Sequence, residues 1–262
     1  MKIAAAQISC SLGNPDANLL KVRDFTARAK EAGANLIVFP EMVDTGYSMS
    51  VIKSRAARWT RGFVPELQKV AEKLSIAIVS GVSERDNAFI YNSQIFVDQH
   101  GEITMKYRKT HLFPVPPIEE HKCFAPGNNF TSFGFAGLRF GLSICYDLRF
   151  PEIYRKLTVE QNVSVFIISS AWPFPRVEHL RTLAMARAIE NQSYVIVANR
   201  VGIDDGVSFC GTSAIIDPYG IVIASASQDC EELIQAEISQ DVVKSVRSQM
   251  EVFAHRRHDL YK

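Results

Sequence analysis

Three residues whose chemistries fit together each stand at the end of an apolar run. Glu41 follows NLIVFP directly, Lys109 follows ITMKYR, and Cys145 follows LRFGLSI. A thiol is a weak nucleophile until a neighbouring base takes its proton, and a carboxylate in a dry pocket can be that base. A lysine ammonium then stabilises the oxyanion of a tetrahedral intermediate. The set suits attack on a carbonyl carbon, provided the fold gathers the three at one edge. Taken singly, each has a plainer reading. Cys145 would be a small buried hydrophobe, Glu41 a loop cap, and Lys109, inside KYRKTH, part of a solvated basic face.

The elements that must position them alternate in type. KIAAAQI reads as a first strand, and SLGNPDANLL supplies a turn and an Asn/Asp cap for a helix that Gly33 stops. NLIVFP is a buried strand, PELQKVAEKL a weaker helix, and IAIVSGV the next strand. FIYNSQIFVD and ITMKY form a hairpin about the QHGE turn. After the Pro-rich FPVPPIEEHKCFAPGNN come LRFGLSI, a helix from PEIYRKL, the strand VSVFIIS, a long helix through HLRTLAMARAIENQ, and the strand YVIVANR. SAIIDPYGIVIAS is a second hairpin turning at Asp217-Pro218-Tyr219-Gly220, and LIQAEI with DVVKSVRSQ closes the core. Strand-helix alternation with hairpins predicts mixed α/β layers, with two rough halves that would supply two sheets packed face to face. A four-layer αββα sandwich is the expected architecture, and one doubly wound sheet is the alternative. In either, functional residues gather beyond the carboxyl ends of strands. No short-period repeat, linker or low-complexity segment interrupts 1–262, so one domain is expected.

Composition narrows the function classes. A formal charge of +1, from 29 basic and 28 acidic residues, provides no excess field for nucleic acid or an anionic membrane. Small-molecule partners are expected. No stretch reaches the ~18 apolar residues needed to span a bilayer, and MKIAAAQISC is too short and too soon polar for a signal peptide, so the cytoplasm is the default location. Cys10, Cys123, Cys145, Cys210 and Cys230 are scattered, without a C-x-x-C pair, which argues against a disulfide framework and a zinc knuckle. No metal or organic cofactor is expected.

The strings VFPEMVDTGY, YRKTHLF and ICYDLRFPE closely resemble the three signature segments of the nitrilase superfamily of carbon-nitrogen hydrolases, in order and at similar spacing. The likeness extends over essentially the whole chain. It implies an αββα sandwich and a Glu-Lys-Cys triad, carried onto Glu41, Lys109 and Cys145. It also implies a second glutamate before a Pro-Gly turn. The spacing to Gly127 favours Glu120 over Glu119, although a run beginning at Pro114 stands where many relatives place an aspartate. The implied reaction is amide hydrolysis through a cysteine thioester, with Lys109 and the Tyr146 backbone N–H holding the oxyanion.

The segment from Ser170 to Gly202 resembles the omega-amidase branch, which acts on 2-oxoglutaramate or 2-oxosuccinamate. Another small-amide hydrolase of the superfamily, such as a deaminated-glutathione or aliphatic amidase, is the alternative, followed by a non-catalytic scaffold on the same fold. Trp172 and Tyr47 are candidate pocket residues with equal claims as packing aromatics. A substrate carboxylate would call for a cation, and Arg149, Arg176 and Arg200 are available, with solvation the expected fate of Arg176. Arg187 and Glu190 read as a structural ion pair. His111 as the base of a Cys-His pair ranks low. The resemblance implies at least a homodimer, and the tail EVFAHRRHDLYK would dock on a partner or on its own domain.

Overall fold

The computed structural model describes residues 1–260. The first half runs β1 (Lys2–Gln7), α1 (Pro15–Glu31), β2 (Leu36–Val38), α2 (Met49–Arg55), α3 (Phe63–Leu74), β3 (Ala77–Asp86), β4 (Phe89–Val97) and β5 (Ile103–Arg108). The second runs β6 (Thr131–Phe135), β7 (Leu138–Ile144), α4 (Pro151–Gln161), β8 (Val165–Ser170), α5 (Val177–Asn191) and β9 (Tyr194–Asn199). A small hairpin, β10 (Ile203–Asp204) and β11 (Val207–Ser208), precedes β12 (Ala214–Ile216), β13 (Val222–Ser225), β14 (Glu232–Glu237) and α6 (Gln240–Gln249).

The local signals act as their chemistry dictates. The Asn14 side chain accepts the Ala17 N–H at 3.1 Å, Pro15 opens α1, and Gly33 adopts φ 83° just beyond its end. Two mixed six-stranded sheets result, ordered β14-β1-β2-β3-β4-β5 and β13-β12-β9-β8-β7-β6. Read from β14 and from β6, both follow one pattern of neighbours: antiparallel, two parallel, two antiparallel. The two sheets therefore share one pattern of pairing, with β14 from the far end of the chain completing the first.

The alternation of strand side chains divides the core. Ile3, Ala5, Leu36, Val38, Ala77 and Val79 belong to the apolar cluster shared with the second sheet, whereas Ala4, Ala6, Ile37 and Ile78 pack with α1 and α3 residues such as Phe25 and Leu67. Between the sheets Phe96, Phe133 and Phe140 form a stack of rings. On the opposite face of the second sheet, Phe166 meets Tyr154 of α4 edge-on. The molecule is thus a four-layer αββα sandwich. One polar bridge crosses its centre: Gln94 Nε2 donates to Ser169 Oγ at 2.8 Å, which donates to the Phe39 carbonyl at 2.7 Å.

In the tail, the Phe253 ring is faced by Arg155 and Arg247 of its own chain. Residues 261–262 of that segment lie outside the described residues. Among the described residues, no helix is long and apolar enough to cross a membrane, and no cluster of His, Cys, Asp and Glu suits a metal ion.

Candidate active site

The ends of β2, β5 and β7 bring Glu41, Lys109 and Cys145 together in the interior, and the first two are fully buried. Lys109 Nζ donates to Glu41 Oε1 at 2.9 Å and lies 2.9 Å from the Glu120 carboxylate. Glu120 is also fully buried and accepts the Tyr47 hydroxyl at 2.7 Å and the Phe113 N–H at 2.7 Å. Glu119 instead turns outward to pair with Lys122, so of the two glutamates it is Glu120 that lies beside Lys109. Glu41 is held from a second side, because the Ala171 N–H at the end of β8 donates to Oε2 at 2.8 Å.

Two glycines let these segments approach. A side-chain carbon on Gly81 of β3 would stand 2.5 Å from Glu41 Cα, and one on Gly127 would stand 2.1 Å from the Arg108 carbonyl oxygen. Gly127 N–H donates to the Lys109 carbonyl at 2.8 Å. Each therefore sits where only a missing Cβ permits the contact.

Cys145 is 7% exposed and adopts φ 45°, a left-handed conformation unfavourable for an L-residue. The strand breaks sharply there into a 3-10 turn over Cys145–Arg149. Asp147 stabilises the break: its buried carboxylate accepts the Ile144 N–H at 3.0 Å, the Tyr107 hydroxyl at 2.7 Å and the His111 N–H at 3.0 Å. It thereby fastens the cysteine turn to the segment carrying Lys109. Arg187 braces the turn from α5, donating to the Leu148 carbonyl at 2.8 and 3.1 Å while pairing with Glu190 at 3.0 Å, the structural ion pair expected.

The electrostatics follow from burial. Desolvation raises the Cys145 thiol well above its usual range, and the charge of Glu41 adds to this while Lys109 opposes it. Burial likewise raises the Glu41 carboxyl, with Lys109 pulling it back. Burial works against the charge of Lys109, but Glu120 and Glu41 outweigh it and hold the lysine cationic. The arrangement sets a neutral thiol beside the Glu41 carboxyl and the Lys109 cation, so that Glu41 is placed to take the Cys145 proton.

Cys145 opens onto a cavity of about 310 Å³ whose walls include Tyr47, Tyr146, Trp172, Arg149 and Arg176. All three aromatic candidates thus reach the site. Trp172 is fixed by its N–H to Asn199 Oδ1 at 2.8 Å and its indole N–H to the Arg176 carbonyl at 2.9 Å. The arginines divide differently from expectation. Arg176 is half-buried in the cavity wall above Phe113, not solvated at the surface, because the short connection from Trp172 to α5 folds back over the opening. Arg200 is fully buried away from it, 2.6 Å from Asp204, whose carboxylate accepts the Tyr47 N–H at 2.7 Å. His111 Nδ1 faces Asp147 at 2.9 Å, while its ring stacks on Phe150.

The family model for carbon-nitrogen hydrolases matches residues 2–248. The chain belongs to the carbon-nitrogen hydrolase family. Among its relatives, a 2-oxoglutaramate amidase of Bacillus subtilis (strain 168) is 36% identical over 260 residues, covering 99% of this chain and 98% of that one. Omega-amidase NIT2 of Homo sapiens is 29% identical over 269 residues, covering 99% and 96%. Among solved structures, an amidase from Nesterenkonia sp. AN1, caught after Michael addition of acrylamide at its active-site cysteine, superposes with a TM-score of 0.85 at 25% identity, covering 96% of this chain and 98% of that one.

For this carbon-nitrogen hydrolase, the sequence reading missed Asn92, whose side-chain amide reaches Glu41 at 2.6 Å and Glu120 at 3.0 Å. It also missed Asp147, although the aspartate stands inside ICYDLRFPE. For Asp147 the signal was the position three residues after a strand end, where a short acidic side chain folds back onto a backbone N–H.

Proposed function

We propose that the protein is an omega-amidase-type hydrolase, releasing ammonia from small amides that carry a carboxylate at the far end, with 2-oxoglutaramate and 2-oxosuccinamate as substrates. The observation that carries the reading is the pair Arg149 and Arg176. Both line the cavity onto which Cys145 opens, the charge of Arg176 works against that of Arg149, and among the described residues neither is paired with a carboxylate. A substrate carboxylate supplies the missing counter-charge and places the distal amide at the thiol. The cavity is narrow and walled by Tyr47, Phe113, Tyr146 and Trp172, which favours small acids over a tripeptide-sized amide. The B. subtilis and human relatives point the same way.

In this reading Glu41 accepts the Cys145 proton as sulfur attacks the amide carbon. Lys109 and the Tyr146 N–H hold the developing oxyanion, with Glu120 fixing the ammonium. The tetrahedral intermediate collapses with cleavage of the carbon–nitrogen bond, and Glu41 returns the proton to the leaving nitrogen, releasing ammonia. A water deprotonated by Glu41 then cleaves the thioester, yielding the acid and restoring the thiol. Tyr47 and Trp172 wall the pocket. The core shared by both sheets supports one domain across 1–262.

Association as a homodimer belongs to the same proposal. Ile189 of α5 and Tyr219, Ile221, Val222 and Ile223 at or beside the edge strand β13 are all exposed, and the turn at Gly220 lies against Ile189, so apolar residues of two elements meet at this edge.

The test is ammonia release from 2-oxoglutaramate, 2-oxosuccinamate, glutamine, a simple aliphatic amide and a simple nitrile. Turnover confined to the two keto-acid amides is expected. Equal turnover of the uncharged aliphatic amide would remove the assigned role of the arginines.

A further inference from the structure

Asn92 is buried on β4 at the centre of the charged group. Its Nδ2 donates to Glu41 Oε1 at 2.6 Å and to Glu120 Oε1 at 3.0 Å, the same two oxygens that Lys109 Nζ reaches at 2.9 Å. Lysine and amide thus face each other across two carboxylate oxygens, each nitrogen bonded to both. The backbone strengthens the link, since the Lys109 N–H donates to the Asn92 carbonyl at 2.8 Å. The orientation of the amide is settled by chemistry, because the reversed form would set its oxygen against two carboxylates. Its Oδ1 has no hydrogen-bond partner among the described residues. A buried amide that leaves its acceptor unmatched is held for its donors.

Two carboxylates around one ammonium repel each other, and one of them relieves the repulsion by taking up a proton or moving away. The amide supplies one N–H to each and adds no charge, and toward Glu41 it favours the ionised form against burial. We propose that Asn92 is a positioning residue for the hydrolysis, clamping Glu41 and Glu120 onto Lys109 so that Glu41 is kept an ionised base. This rests on Glu41 serving as the base for Cys145. Glu41 is faced by Lys109 beyond β5, Glu120 from the turn after the prolines, Cys145 beyond β7 and the Tyr47 hydroxyl of its own loop. Of these, Lys109 is the cation, so no other positive group replaces the lost donor.

The experiment compares wild type with Asn92→Leu, Asn92→Asp and Glu41→Gln. The pH profile of kcat/KM for 2-oxoglutaramate is measured beside the pH profile of Cys145 alkylation by iodoacetamide, with circular dichroism to confirm folding. Both Asn92 variants should lose about tenfold or more in kcat/KM at neutral pH, with the acid limb displaced upward by about one pH unit. The alkylation profile should move with it, and KM should change little, because Asn92 is not in the cavity wall. Wild-type acid limbs in a folded variant, or a loss confined to KM, would overturn the proposal. Should Asn92→Leu fail to fold, the uncharged and smaller Asn92→Ala decides, with the same displacement expected. If no amide is turned over but the alkylation profile still moves, the substrate assignment falls and the role of Asn92 stands. An alkylation profile that Glu41→Gln leaves untouched overturns it at its foundation.

Discussion

The Ala171 N–H donates to Glu41 Oε2 at 2.8 Å, so the end of β8 orients the carboxylate at the end of β2. These strands occupy matching places in the two sheets, third from β6 and from β14. The site is therefore a property of the seam, and anything that shifts one sheet's strand end against the other's should disturb it. Gly81→Ala does so directly, since its Cβ meets the Glu41 backbone. The expected result is a loss of about 1–3 kcal/mol in urea denaturation and a fall in kcat of about tenfold or more. Full activity in this variant would show that the seam has slack.

Removing the nucleophile separates fold from chemistry. Cys145→Ala should keep the wild-type circular dichroism spectrum while ammonia release falls by about 10⁴-fold or more. Mass spectrometry of wild type during turnover should show an acyl group on Cys145, absent from the variant. An alanine variant with near-normal turnover would end the thioester mechanism.

The two cavity arginines should read out in KM. Arg149→Leu or Arg176→Leu removes a charge-assisted contact to the substrate carboxylate, raising KM for 2-oxoglutaramate by about 10- to 100-fold. Iodoacetamide carries no carboxylate and should alkylate Cys145 as fast as in wild type. A matching loss in alkylation would assign the arginines to structure.

Asp44 links stability to pH. Burial raises its carboxyl from 3.8 to about 6, against hydrogen bonds from Ser83. Between those values the folded state binds more protons than the unfolded, so this contribution is full below about pH 4 and is lost as pH rises through 6. The displacement corresponds to about 3 kcal/mol. Compared with Asp44→Asn by urea denaturation at pH 4 and pH 7.5, wild type should gain relative stability at the lower pH. A constant difference between the two proteins would contradict the assignment.

The apolar edge predicts an assembly. Light scattering should give twice the chain mass for wild type, and Ile221→Asp combined with Ile189→Asp should give a folded monomer. Wild type that is monomeric at micromolar concentration would defeat this reading.

Much of the site was legible because Glu41, Lys109 and Cys145 each follow an apolar strand, and strand ends are where an α/β fold exposes chemistry. The spacing to Gly127 pointed to the glutamate that lies beside Lys109, and the glycine itself is required by its close approach to Arg108. Asn92 was missed for a physical reason. In FIYNSQIFVD the polar residues resemble the solvent side of a half-buried strand, but a second sheet covers that side, and Asn92 and Gln94 are both fully buried. Sequence periodicity shows which residues share a face and not what lies over it. The short α2 escaped notice because MSVIKSR has no apolar repeat, and β6 because a glycine interrupts TSFGF. Arg176 was misplaced because its position depends on how the connection before α5 folds.

The enclosure of Cys145 has a consequence for the cell's other amides. A thiol that converts carboxamides to thioesters with release of ammonia is a hazard to every glutamine and asparagine on a polypeptide surface. Here the thiol is 7% exposed at the floor of a cavity of about 310 Å³. A side-chain amide still attached to a folded backbone must bring its chain past the walls that include Trp172 and Tyr146. Enclosure thus sets the nucleophile apart from folded neighbours through burial and not through a less reactive thiol.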